Sequence, residues 1–95
     1  MQIDKRTIES SLLSKGFIQK NGPHRYFFHV YAGRETGIST HTSHGSKYKT
    51  YGIELLDKMK KQLGLTLPQL KDLLLCPMKS DQYNQILKSR GVQVG

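Results

Sequence analysis

The segment His24–Ala32, with the sequence HRYFFHVYA, is the part of this 95-residue chain that decides the fold. Five of its nine residues are Tyr, Phe or Val, the aromatic and β-branched types that favour strands. Side chains alternate between the two faces of a strand. We expect the core face to carry Tyr26, Phe28, Val30 and Ala32, and the other face to carry Arg25, Phe27, His29 and Tyr31.

Turn residues on both sides of this segment predict a sheet of three strands. Phe17–Lys20 favours a short strand that ends at the turn Asn21–Pro23, because proline cannot donate a hydrogen bond to a neighbouring strand. After Gly33, the segment Glu35–Thr42 predicts the next strand. The connections are short, so the three strands are expected to form an antiparallel meander.

Apolar residues at helical spacing predict helices before and after the strands. Asp4–Lys15 is expected to form the first helix, and Tyr51–Leu63, capped by Thr50, the second. A capping-box pattern that starts at Thr66 predicts a third helix. A fourth is expected over Ser80–Ser89.

The order of these elements predicts the α+β class and two regions. Residues 1–65 are expected to form a three-stranded antiparallel sheet with helices on one face. Residues 66–95 are expected to form a helical extension, which is too short to fold alone and therefore packs on that domain.

The length and composition exclude several classes of protein. A chain of 95 residues is too short for a multi-domain enzyme or a dinucleotide-binding fold. The longest strictly apolar run, residues 73–76, is far below the ~20 residues of a membrane span. One cysteine, Cys76, cannot form an internal disulfide, and no secretory leader is visible, so we expect a cytoplasmic protein.

The positive charge predicts a polyanionic partner and is concentrated in the middle of the chain. Fifteen Lys and Arg residues against seven Asp and Glu give a formal charge of +8. Residues 10–53 contain six bases and one acid, Glu35, and also all four histidines. This distribution favours nucleic acid as the partner.

The same residues limit the chemistry that the chain can perform. No phosphate-binding glycine loop, nucleophile motif or paired cysteine motif is present, and carboxylates are scarce, so we expect neither a cofactor nor a metal. Histidine titrates near neutral pH and can act as acid or base. RNA supplies its own nucleophile in the 2′-hydroxyl, so one histidine among cations is sufficient for cleavage.

His24 is the best candidate for such a catalytic group, because it lies between a Gly-Pro turn and the aromatic strand. The alternative is that His24 is only a polar residue that starts the strand. In a regular strand, His24 would lie on the same face as Tyr26, two residues later, which is the expected core face. His29 lies on a face that could stack bases, although a structural role is favoured. His41 and His44 have a His-x-x-His spacing, which is a weak metal signal.

Several short motifs resemble the HicA family of toxins, also called YcfA-like. They are Leu12–Phe17 (LLSKGF), Gly22–Phe27 (GPHRYF), Ile38–His41 (ISTH) and Lys61–Leu65 (KQLGL). The resemblance covers about residues 4–65. Pro23 stands where members of the family usually have serine, and residues 66–95 are extra to the small members.

The resemblance implies a double-stranded-RNA-binding-domain-like fold of order α-β-β-β-α. It also implies a metal-independent endoribonuclease, or mRNA interferase, of a toxin–antitoxin system, with mRNA as substrate and a HicB-like antitoxin as partner. The family's catalytic histidine falls on His24. We expect four basic residues to hold the RNA backbone: Lys20, Arg25, Lys47 and Lys49.

Two other functions remain open. A non-catalytic RNA-binding module of the same fold needs the basic surface but not His24. A helix-turn-helix DNA-binding protein is also conceivable, since residues 53–75 predict helix, turn and helix, but Lys71 is the only base on its second helix. A role at a membrane surface is not expected, because no strongly basic amphipathic helix is present.

Overall fold

The computed structural model describes residues 2–43, 49–75 and 78–91. The described residues form an α+β fold with a three-stranded antiparallel sheet, as predicted. None of their helices has the length and apolar character that a membrane span requires. The elements in chain order are β1 (Ile3–Asp4), α1 (Lys5–Ser14), β2 (Phe17–Asn21), β3 (Arg25–Tyr31), β4 (Arg34–Thr42), β5 (Thr50–Tyr51), α2 (Ile53–Leu63), α3 (Leu67–Leu74) and α4 (Ser80–Ser89).

The main sheet has the strand order β2-β3-β4, with β3 in the middle. Phe28 pairs with Ile18 on one side and with Ser39 on the other. The pairing of β3 with β4 shifts register between Phe28 and Val30. Gly37 lies in β4 close to this shift with φ +86°, a conformation that glycine adopts at low cost.

The prediction for the buried face of β3 was wrong. Phe27 is 0% and His29 is 1% exposed, whereas Tyr26 and Phe28 are only half-buried. The helices lie on the side of Phe27 and His29. Alternation could not identify this face, because aromatic residues occupy both sides of the strand.

Polar contacts show how the helices cover this face. Arg25 of β3 forms an ion pair with Glu9 of α1. On β4, Thr40 donates a hydrogen bond to Gln62 of α2 at 2.6 Å, and Thr42 donates to Glu9. Both helices therefore contact the same side of the sheet.

The two C-terminal helices share one apolar core with the sheet domain. Tyr83 and Leu87 of α4 are 0% exposed and belong to the same buried cluster as Phe27 and the apolar residues of α1 and α2. The Tyr83 ring stacks on Phe17 with 5.9 Å between centroids. Burial of this apolar surface is the main stabilising contribution that α4 makes. The cysteine at position 76 lies outside the described residues.

The helix ends confirm one of the predicted signals and correct another. Thr66 forms the predicted capping box with Gln69 at the start of α3, and Gly64 ends α2 with φ +72°. Thr50 does not cap α2. It lies in β5, paired with Asp4, and Gly52 is the residue that precedes the helix.

Candidate nucleic-acid interface

His24 lies in the turn before β3 and is exposed to solvent. Its ring packs against His41, with 4.9 Å between ring centroids and an angle of 31° between the ring planes. Tyr26 contacts both rings, with centroid distances of 6.0 Å to His24 and 5.9 Å to His41. His24 and His41, here called the histidine pair, are thus supported by one aromatic side chain.

The strand register explains why these two histidines meet. Tyr26 of β3 pairs directly with His41 of β4, so both side chains project from the same face of the sheet. His24 precedes Tyr26 by two residues, and the turn places its ring beside them. The turn is held by a hydrogen bond of 2.9 Å from the Gly22 N–H to the His24 carbonyl.

The histidine pair lies at one end of the sheet face opposite the helices. This surface, here called the open face, carries Ile18, Lys20, Tyr26, Phe28 and His41. Ile18 is 41% exposed, and the Tyr26 and Phe28 rings are neighbours with 6.2 Å between centroids. Partly exposed aromatic rings on a sheet are surfaces on which nucleic-acid bases can stack.

Lys20 is the predicted RNA-binding residue that the structure places on the open face. Its Nζ lies 4.9 Å from the centroid of the Phe28 ring and 3.3 Å from a carboxylate oxygen of Glu35. Both charged side chains of this ion pair are about half exposed, so the pair contributes little to stability. Lys20 can therefore exchange Glu35 for a phosphate at low cost.

The other predicted RNA-binding residues are not grouped with Lys20. Arg25 lies on the helix-covered face, where one guanidinium nitrogen is 3.1 and 3.2 Å from the two carboxylate oxygens of Glu9. Lys49 is exposed, and its carbonyl accepts a hydrogen bond from the Lys5 N–H at 2.8 Å. Lys47 and His44 lie outside the described residues.

A cleft of about 190 Å³ opens beside the histidine pair, between the end of β4 and helix α2. Its polar lining includes His24 and His41 from the sheet side, and Lys58 and Gln62 from α2. Leu55 and Met59 of the same helix add apolar surface, because residues three and four positions apart in α2 lie on the same face of the helix as Lys58 and Gln62. Imidazoles from the sheet and an ammonium group from the helix thus face one space.

His29 is a core residue, which agrees with the favoured structural role and excludes the alternative of a base-stacking face. One ring nitrogen, Nδ1, lies 2.9 Å from the Thr36 hydroxyl, and Nε2 lies 3.0 Å from the side-chain oxygen of Asn84. The ring also contacts Phe17 and Tyr83, each with 5.1 Å between centroids. Burial lowers the pKa of His29, and the hydrogen bond to Asn84 offsets part of this effect.

Residues 2–43, 49–75 and 78–91 contain no group of three or more His, Cys, Asp or Glu side chains that could hold a metal ion. The histidine pair has no third ligand of these types close enough to complete such a group in that part of the chain.

Comparisons of the chain with family models, with curated proteins and with solved structures found no match.

Sequence reasoning identified His24 but missed its two neighbours. His41 was considered as a possible metal ligand with His44 and as part of a family motif, but not as a neighbour of His24, because that contact depends on the register between β3 and β4. Lys58 belongs to a run of charged residues typical of a solvated helix face, and nothing local in the sequence shows that it lines a cleft. The one signal available was the short hairpin, in which residues that pair across β3 and β4, such as Tyr26 and His41, lie on the same face.

Proposed function

We propose that the chain is an RNA-binding protein with metal-independent endoribonuclease activity. The observation that supports this proposal most directly is the exposed histidine pair, His24 and His41, at the end of an aromatic open face. Two neighbouring imidazoles can supply both the base and the acid of RNA cleavage. The excess of positive charge in the chain supports RNA as the substrate.

The proposed reaction is an internal phosphoryl transfer. His24, in its neutral form, removes the proton from a ribose 2′-hydroxyl, whose oxygen attacks the adjacent phosphorus. The bond from phosphorus to the 5′-oxygen of the next nucleotide breaks, and His41, in its protonated form, donates a proton to that oxygen. The products are a 2′,3′-cyclic phosphate and a 5′-hydroxyl, and the two histidines have exchanged protonation states.

The open face supplies the binding surface in this proposal. Unpaired bases stack on Tyr26 and Phe28, and Lys20 contacts the backbone. Arg25 is not included, because its ion pair with Glu9 holds it on the other side of the sheet. Lys49 remains a candidate contact as an exposed cation.

We also propose that the chain is a HicA-like toxin with a double-stranded-RNA-binding-domain-like fold. The order α1, β2, β3, β4, α2 and the single helix-covered face of the sheet support this assignment. A HicB-like antitoxin would then be the protein partner, mRNA the substrate and the cytoplasm the compartment. An antitoxin that covers the histidine pair would block cleavage.

A non-catalytic RNA-binding module is the second candidate function. The observation that favours it is the open face itself, because stacking on Tyr26 and Phe28 and a contact to Lys20 need no acid or base.

The decisive experiment compares wild type with His24→Ala and His41→Ala in an RNA-cleavage assay with a chelator present. We expect each variant to lose activity at least ~100-fold while its circular dichroism spectrum is unchanged. A substrate with a single 2′-deoxyribose at the cleavage position should resist wild type, because it lacks the nucleophile. Induction of the same variants in bacteria tests toxicity in parallel.

Gln19→Ala is the matched control, since this residue is exposed on the edge strand β2 away from the histidine pair. Full activity of the folded His24→Ala variant would refute the catalytic assignment. If wild type binds RNA with a steep salt dependence but never cleaves it, the binding module is the correct function.

A further inference from the structure

We propose that the cleft between β4 and α2 is a phosphate-binding site in which Lys58 anchors a phosphoryl group of the RNA. This inference rests on the proposed function, and it adds a positioning role for a helix that sequence reasoning left out of the site. The ligand class is a phosphate monoester or diester.

The position of the cleft is the first argument for this proposal. Its lining contains both members of the histidine pair, so a group bound there is next to the acid and the base. Its volume of about 190 Å³ is several times what one water molecule needs. That space can hold a phosphoryl group with part of its ribose, and it is too small for a base-paired helix.

The charge of the lining is the second argument. Among the described residues that line the cleft, His24, His41 and Lys58 can be cationic and none is a carboxylate. The neighbouring lysines of α2 differ from Lys58. Lys60 and Lys61 lie 3.0 and 3.3 Å from the carboxylate of Asp57, which offsets part of their charge, whereas Lys58 has no ion pair within the described ranges.

Hydrogen-bonding groups on the wall of the cleft are the third argument. The Oε1 atom of Gln62 accepts a hydrogen bond from Thr40, which leaves the amide N–H groups of Gln62 as donors. The Ser43 hydroxyl is buried beside the cleft and has no partner among the described residues. A buried polar group without a partner is costly, and a phosphate oxygen would satisfy it.

The test measures phosphate binding without any cleavage step. Inorganic phosphate is titrated into the full chain at constant ionic strength and pH, and the imidazole signals are followed by NMR. The signals of His24 and His41 should shift saturably. His29 is the internal control, because it is buried in the core and does not line the cleft, so its signal should not move.

Lys58→Gln and Lys61→Gln form a matched pair of variants on one helix. Both changes remove one exposed cation, but only Lys58 lines the cleft. We expect Lys58→Gln to weaken phosphate binding about tenfold, the scale of one charge-assisted hydrogen bond, and Lys61→Gln to change it less than twofold. Equal effects of the two substitutions would indicate general electrostatic attraction and would overturn the proposal.

The phosphate titration also separates this inference from the proposed function. If His24→Ala abolishes RNA cleavage but no saturable shift is seen with phosphate, the endoribonuclease stands and the phosphate site is refuted. If phosphate binds at the cleft in a Lys58-dependent manner and the wild-type chain does not cleave RNA, the site is supported and the catalytic function fails.

Discussion

Acidification should destabilise this protein through His29. The ring is 1% exposed, and both of its nitrogens are within hydrogen-bond distance of a partner, Thr36 and Asn84. Burial lowers the pKa of this imidazole in the folded state below the ordinary value of 6.5. The unfolded chain therefore takes up the proton more readily than the folded chain does.

The sign and size of the effect follow from this difference. The contribution of neutral His29 is complete above about pH 6.5 and decreases as the pH falls from there towards the lowered pKa of the folded state. One titrating group changes the free energy of unfolding by at most ~1.4 kcal/mol per pH unit. The full slope applies only below about pH 6.5, where the unfolded imidazole is protonated, so we expect a loss of up to about 1.4 kcal/mol between about pH 7.5 and pH 5.5. Tyr83, which packs on the ring, stays neutral in this range because burial raises its pKa.

Urea denaturation followed by circular dichroism, repeated at several pH values, measures this dependence. Asn84→Asp is an informative variant, because a carboxylate in place of the amide would stabilise protonated His29. The variant should lose the wild-type slope or reverse it. A wild-type stability that is constant between about pH 7.5 and pH 5.5, or the same slope in Asn84→Asp, would contradict the reasoning.

Two further substitutions test the packing of the C-terminal region. Tyr83→Phe removes the hydroxyl that donates a 2.9 Å hydrogen bond to the carbonyl of Leu63, and we expect the free energy of unfolding to fall by about 1–2 kcal/mol in urea denaturation; an unchanged value would mean that the carbonyl finds another donor. Gly64→Ala places a side chain at φ +72° and should cost about 1–2 kcal/mol. The Gly64→Asn variant should cost less, because asparagine tolerates this conformation, and equal losses in the two variants would point to a clash with Leu87 instead.

Local sequence signals were sufficient to locate the helices and strands. The predicted first helix, Asp4–Lys15, differs from α1 by one residue at each end, and the predicted fourth helix, Ser80–Ser89, is the same as α4. Hydrophobic periodicity and capping residues act over a few neighbouring positions, so the sequence contains this information directly. The two-residue pairing of β1 with β5 was missed, because it joins segments that are distant in the chain and too short to show a pattern.

Long-range contacts decided what could not be predicted. The buried face of β3 is fixed in part by Asn84, which is 55 residues from His29 and satisfies one of its ring nitrogens. Without a hydrogen-bond partner, burial of a histidine costs free energy, so sequence patterns favour burying the face that carries only apolar residues. The same limit applies to the site, where the contact of His24 with His41 needed the exact pairing of two strands.

The packing of Tyr83 on Phe17 also has a consequence for the timing of synthesis. Tyr83 follows Phe17 by 66 residues, so a ribosome that adds about 5–20 residues per second produces it about 3–13 s later. During that interval Phe17 and His29 lack the ring that covers them. The nascent chain therefore exposes apolar surface for seconds before its core can form, and a chaperone has time to bind during this period.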